Sequence, residues 1–444
     1  MKAKTVLWSV AAILITGIAA GAVWWLLRPQ VITFSDDAKV TLLSVEYGKH
    51  HAPPSVKAST TSTNRASARG RGSFTTTNDT LVVWVRMEYD SQQYHYFQLY
   101  AYDKAGTACV GSAGTHYATT GRRNGNDIVG IEFSAFPHRQ GKFLVGVQEQ
   151  GNGGQEMSDK KFIISNPARG SSMKWAAEPL PATREDDDLS VTLTKLAVGA
   201  DMPYQRNQDT PDDPVNKGVH AEFQVQRNGK PVSNWQPVSV ETTDATGNHI
   251  GGGIAQNNWQ DNQDTATYQY GLWPDEPAWK IKFEFSQQSN FADNELWTVQ
   301  NLPLQPGRQR DFNTNARNSR TNAPIAETDL NGVHLKILPA KQFTDVGQNN
   351  YMQGGLQIQT DSALPDGMRM TVVKLTDDQS NDVTFFDNGT MRNTAGSTTS
   401  TTYRYGLRAI DGITNLNLTI ALHKSRFIEF TAKPEKAAAV AAAQ

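Results

Sequence analysis

Residues able to do chemistry are scattered along this chain, and their spacing brings few of them together. Nine histidines are spread over 444 residues, and only His50-His51 are close in sequence. Adjacent residues of a strand point to opposite faces, so this pair shares a metal ion only if the backbone there is irregular. A solvated loop pair is the simpler reading. Carboxylates cluster at Glu185-Asp186-Asp187-Asp188, at Asp212-Asp213 and around Asp261 and Asp264. Calcium takes about six to eight oxygen ligands, and the first cluster is the best candidate for it, with a solvated charge run at a strand entrance as the alternative. Glycoside hydrolysis needs two carboxylates facing each other across a cleft, and the sequence singles out no such pair. HExxH, GxSxG, P-loop and helix-opening GxGxxG patterns are absent. The one cysteine, Cys109, has only Lys104 nearby in sequence to lower its pKa, so a buried small residue is preferred over a reactive thiol. No catalytic residue, metal or cofactor is therefore assigned, and the chain is expected not to be an enzyme.

Binding chemistry is better represented. Tyr94, Tyr96, Tyr100 and Tyr102 alternate along one stretch and could stack on a sugar or a protein, although such a stripe also forms the outer wall of a core. Trp273, beside Pro274 in a loop-like stretch, is expected to be more exposed than Trp279, which opens a strand pattern. Long polar excursions occur at Gly48 to Asp79, Gly199 to Gly218 and Pro339 to Gly355. Loops of this length are usually functional or disordered. The middle of the first, Ser59 to Ser73, has the Ser, Thr and Arg content of a disordered segment. The second and third carry Tyr204, Asp212, Asp213, Gln348, Asn349, Asn350 and Tyr351, a mixture of aromatic and adaptable polar groups suited to recognition. With Trp273 they form the candidate partner-binding set.

The elements that would position these groups are strands. Past residue 30 apolar residues alternate with polar ones, and turn residues interrupt them often. Val40-Leu42-Val45, Leu189-Val191-Leu193 and Val333-Leu335-Ile337 each open a unit of about a domain's length. Turns at Asp103-Lys104-Ala105-Gly106, Asp244-Ala245-Thr246-Gly247 and Thr376-Asp377-Asp378 follow a middle strand, and Asn228-Gly229 is a strong hairpin signal. Tyr268-Gln269-Tyr270-Gly271-Leu272 matches Tyr403-Arg404-Tyr405-Gly406-Leu407, each before another alternating strand. Short closing strands are expected at Phe162-Ile163-Ile164, Trp297-Val299 and Phe427-Ile428-Glu429-Phe430, one for each unit.

Ahead of these units, Thr5 to Leu27 carries no charge and is long enough to cross a bilayer as a helix. Lys2 and Lys4 outweigh Arg28, which orients the N-terminus inward and everything after Arg28 outward. The competing reading is a cleaved signal peptide at Ala20-Gly21-Ala22, but the apolar run continues through Leu27. The near-equal 42 basic and 44 acidic residues supply no field for nucleic acid. A single cysteine means an exported chain that folds without internal disulfides, a bacterial habit more than a eukaryotic one.

The expected organisation is a cytoplasmic stub at 1–4, a transmembrane signal anchor at 5–27, and β-sandwich domains at 33–168, 188–305 and 328–432. Linkers at 169–187 and 306–327 and a disordered Ala-rich tail at 433–444 complete it. Repeated antiparallel strands without a βαβ pattern resemble immunoglobulin-like sandwiches, with Trp84 and Trp235 as core tryptophans in place of the missing cysteine pair. Gly271-Leu272-Trp273-Pro274-Asp275-Glu276-Pro277-Ala278-Trp279-Lys280 is similar to a stretch in uncharacterised membrane-anchored exported bacterial proteins. The fold class is thus all-β, three consecutive immunoglobulin-like domains after one N-terminal transmembrane helix. The resemblance implies a cell-envelope protein of structural, adhesive or interaction type, attached to the membrane and meeting an envelope protein or a carbohydrate. A carbohydrate- or ligand-binding module and an accessory subunit of an envelope hydrolase are the alternatives.

Overall fold

The computed structural model describes residues 30–54, 73–90, 95–103, 108–110, 114–117, 126–151, 154–168, 174–201, 217–258, 264–269, 271–309, 312, 323–344, 352–395, 398–408 and 410–436. They form an all-β fold of mostly antiparallel sheets, as the alternation predicts. The expected anchor, 5–27, lies outside the described residues, as does 59–72 of the segment expected to be disordered. Among the described residues no helix is long and apolar enough to cross a membrane.

The first strand set comprises β1 (Val31–Thr33), β2 (Lys39–His51), β3 (Phe74–Glu88), β4 (His95–Tyr102), β5 (Ala108–Val110), β6 (Gly114–Tyr117), β7 (Asn126–Phe133), β8 (Lys142–Gly151) and β9 (Gly154–Ser165). It makes two sheets, ordered β1-β2-β3-β7-β6 and β5-β4-β8-β9. Leu81, Val83 and Val85 of β3 share a core with Leu99 and Ala101 of β4 and Val145 and Val147 of β8. Trp84 is fully buried, but not in that core. A residue between two inward valines must face the other way, and Trp84 packs there with Val82 and Ile128 while its indole N–H donates to Glu46. Trp235, by contrast, joins the main core as expected.

The second set opens with β10 (Ala182–Asp186), β11 (Leu189–Asp201), β12 (Lys217–Arg227) and β13 (Lys230–Pro231). It continues through β14 (Trp235–Asp244), β15 (His249–Asn258), β16 (Asp264–Gln269) and β17 (Trp279–Gln287). Asn228 and Gly229 both take positive φ, 50° and 74°, as a type I′ hairpin requires. β15 belongs to two layers: its first half pairs with β14 up to Gly253, and from Ile254 it pairs with β16.

The third set holds β18 (Leu296–Gly307), β19 (Ala326–Leu330), β20 (Val333–Ile337), β21 (Ala340–Phe343) and β22 (Gly354–Thr360). After them come β23 (Met368–Asp377), β24 (Phe385–Ala395), β25 (Thr398–Leu407) and β26 (Asn415–Lys424). The chain then adds β27 (Arg426–Ala432) and β28 (Glu435–Lys436). Strand order recurs between sets: β1-β2-β3-β7 is matched by β10-β11-β12-β16, and β4-β8-β9 by β14-β17-β27 and β23-β26-β18.

Those last two matches correct the expected closing strands. Trp297-Val299 does not close the second set: β18 pairs with β26, with Trp297 opposite Ile420 and Val299 opposite Leu418. Phe427–Phe430 does not close the third: β27 returns to β17, with Ile428 opposite Phe283 and Phe430 opposite Ile281. The third set is thus inserted into the second, before the strand that completes it. Chain geometry explains why. Only Ser425 separates β26 from β27, and a hairpin needs a loop of about two residues or more, so the chain runs straight on into the neighbouring sheet.

Residues expected as connections also carry strands. β10 occupies part of 169–187, β18 and β19 reach into 306–327, and β21 lies in the Pro339 to Gly355 excursion. Within the expected tail, β28 pairs in parallel with β11, Glu435 opposite Ala197. It repeats the way the end of β18 crosses to pair in parallel with β21.

Candidate functional site at the junction of the second and third strand sets

The returning strand β27 organises the junction. Ile428, Phe430 and Ala432 are buried in the core, so the intervening Phe427, Glu429 and Thr431 face outward. Phe427 is 42% exposed. At its start, Arg426 reaches Asp186 at 3.7 Å, Asp187 at 3.3 Å and Asp188 at 3.6 Å. Asp188 also accepts from Arg227 at 2.5 Å, and that hydrogen bond holds its carboxyl below the usual range against the opposing effect of burial. The acidic run at 185–188 was the best candidate for calcium. Two arginines instead meet its carboxylates, and it forms the β10–β11 hairpin that grips β27.

A second clamp lies one strand further in. Glu284 of β17 is 7% exposed and accepts both arms of the Arg369 guanidinium from β23, the Nε bond being 2.6 Å, with the Ser239 hydroxyl at 2.7 Å. Burial alone would raise the Glu284 pKa, but these donors hold it at about 2. Above the pair, Leu364-Pro365-Asp366-Gly367 of the third set overhangs the outer face of β14, β17 and β27. A cleft of about 410 Å³ lies between them, lined also by Glu241, Lys282 and Phe427. The Lys282 ammonium sits 4.5 Å from the Phe427 ring centre. Gly251 and Gly253 of β15 stand opposite Glu241 and Ser239, leaving the sheet bare at its next strand.

The first and second sets are joined differently. The Asn248 side chain pairs with the backbone of Phe136 through both its oxygen and its nitrogen, each at 3.0 Å. Asn248 is held by Asp244, whose two carboxylate oxygens accept from residues 246 and 248. Arg139 makes two 2.9 Å bonds to Glu276. His138 stacks on Phe136 at 3.8 Å, and burial, with Arg139 adding to it and Asp244 opposing, holds its pKa down at about 4.

Of the residues proposed for recognition, Tyr204, Asp212, Asp213, Gln348, Asn349, Asn350 and Tyr351 lie outside the described residues. Trp273, expected to be more exposed than Trp279, is 4% exposed against 0%, so both rings are buried. The Trp273 carbonyl accepts from the Trp279 indole at 3.2 Å and from the Glu276 amide, folding the Pro274 turn back so that the Trp273 ring is covered. His50 and His51 diverge as adjacent strand residues should: His50 bonds Thr75, whereas His51 is buried beside Phe74 and Thr80. Among the described residues no group of three or more His, Cys, Asp or Glu side chains could hold a metal ion. Of the tyrosine stripe, Tyr100 and Tyr102 are buried and Tyr96 is 47% exposed. The cleft itself escaped the sequence reading because its parts come from strands far apart in the chain. The signal for it was the glycine run 251–253 beside charged alternating positions. Compared with known proteins, the chain matches no protein-family model and no curated sequence.

Proposed function

We propose that the chain is a membrane-anchored extracytoplasmic protein of structural, adhesive or interaction type, which works by presenting binding surfaces and carries out no reaction of its own. In this reading each strand set is an immunoglobulin-like sandwich, and the three follow a signal anchor at residues 5–27, like the exported bacterial proteins that the Gly271–Lys280 stretch resembles. The observation that carries it is that the chain crosses twice between the second and third sets, from β17 into β18 and from β26 back into β27, and that Arg369 of the third set is held by Glu284 of the second. Domains joined by one flexible linker move independently by default. Two chain crossings and a partly buried ion pair between the sets fix their spacing, as a presenting surface needs. The uncharged run after Lys2 and Lys4 supports attachment to a membrane. A ligand-binding module is the second reading, favoured by the junction cleft.

Protease added to intact producing cells, or to spheroplasts, tests the topology. The expected product is a membrane-bound fragment that begins at Met1, with the remainder digested. A soluble mature chain starting near Val23 would overturn the anchored reading.

A further inference from the structure

We propose that the junction cleft, between the Leu364-Pro365-Asp366-Gly367 loop and the outer face of β14, β17 and β27, binds a neutral carbohydrate. The inference rests on reading the chain as a binding protein and names the ligand class.

The floor sets the first constraint. Its most buried charges, Glu284 and Arg369, are already paired, so the floor selects neither sign. The walls then offer one exposed acceptor on each side, Glu241 and Asp366, and one donor, Lys282. None of the three has an ion-pair partner among the described residues; Lys282 instead rests against the Phe427 ring. An anion would meet the two carboxylates, and a cation would meet Lys282. A polyol avoids both conflicts, because its hydroxyls donate to the carboxylates and accept from the ammonium. Its C–H face matches the exposed phenyl ring, an apolar surface that water covers poorly.

The glycines supply the second constraint. Gly251, Gly252 and Gly253 do not take positive φ, so backbone conformation does not require them. A Cβ at Gly252 or Gly253 would meet nothing within 4 Å, and one at Gly251 only ordinary contacts at 3.8 Å, with the Glu241 side chain and the Val240 carbonyl. Crowding does not require them either. The change of layer comes after Gly253, which leaves Gly251 unexplained by the bend. Glycine inside a strand also marks a place where a ligand approaches the backbone closely. The bare shelf beside Glu241 and Ser239 extends the cleft floor in the plane a flat sugar ring needs. Its volume, about 410 Å³, falls within the roughly 300–1,000 Å³ of small-molecule sites.

Saturation-transfer NMR on the full-length protein in detergent, with a panel of short neutral oligosaccharides built from glucose, xylose, mannose and N-acetylhexosamines, tests the assignment. At least one is expected to bind saturably. Phe427→Ala and Glu241→Gln should each weaken it about tenfold or more, the equivalent of about 1.4 kcal/mol. Thr431→Ala, on the same face but outside the cleft, should bind as the parent does. Both cleft residues are exposed, so unchanged thermal unfolding is expected and separates lost binding from lost fold. Absence of saturable binding by every sugar, binding indifferent to both substitutions, or binding confined to sulfated sugars or to charged peptides would overturn the proposal. Cross-linking of the same variants in membranes separates the two readings. A protein partner still captured by Phe427→Ala would leave the binding role standing while the carbohydrate assignment fell.

Discussion

At Glu284 burial and pairing act in opposite directions, and the balance is measurable. Desolvation disfavours the carboxylate, whereas Arg369 and Ser239 favour it strongly enough to bring its pKa from 4.5 to about 2. A depressed folded-state pKa stabilises the fold in full above the unfolded value of 4.5, and that contribution is lost as pH falls through about 2. Glu284→Gln is therefore expected to be less stable at neutral pH, by about 1–2 kcal/mol, a figure reduced because the guanidinium is partly exposed. The gap between the two proteins should narrow between pH 4.5 and 2 in denaturant titrations. A gap that stays constant to pH 2 would show that the pair does not act through its charge. Some residue-scale features were legible in the sequence. The turn aspartates at 244 and 377 each accept from the residues two and four places on, and Asn248 and Asn381 return a side-chain bond. Trp273 was not legible, because a Trp-Pro pair in a loop reads the same whether the ring points out or folds under.

Among the elements, β27 matters most, and its partner is distant in sequence. The strand itself was found from the alternation Ile428, Phe430, but was assigned to the nearest unit, the usual default for consecutive strands. A signal against that default was present. From Leu416 to Phe430 the even positions are mostly apolar, and between Leu422 and Phe427 the chain reads His-Lys-Ser-Arg, with no Gly, Pro, Asn or Asp to turn it. A strand that continues without a turn cannot pair with itself, so β26 and β27 must lie in different layers. Between β17 and β18, Asn290 takes a positive φ of 59° and Asp293–Glu295 forms a 3₁₀ turn, which leads the chain away from β17. The register makes a direct test possible. In a Cys109→Ala background, cysteines at Lys280 and Thr431, which face each other across β17 and β27, should form a disulfide on mild oxidation. Cysteines at Lys280 and Thr298 should not, since Thr298 pairs with Thr419. The opposite outcome would restore the order read from the sequence.

For the molecule as a whole, the consequence is that residues 182–287 and 426–436 form one sheet system, interrupted by a second one built from residues 296–424. The all-β class was legible because it arises from period-two alternation and local turn chemistry. The insertion was not, because it depends on which of two equally apolar strands reaches which sheet edge. Hydrogen exchange on the chain ended after Ser425 tests the interlock most directly. Without β27 and β28, the amides of β17 and its neighbour β14 are expected to lose protection, while β18 and β26 keep theirs. Protection lost from β26 with β17 unchanged would contradict the account.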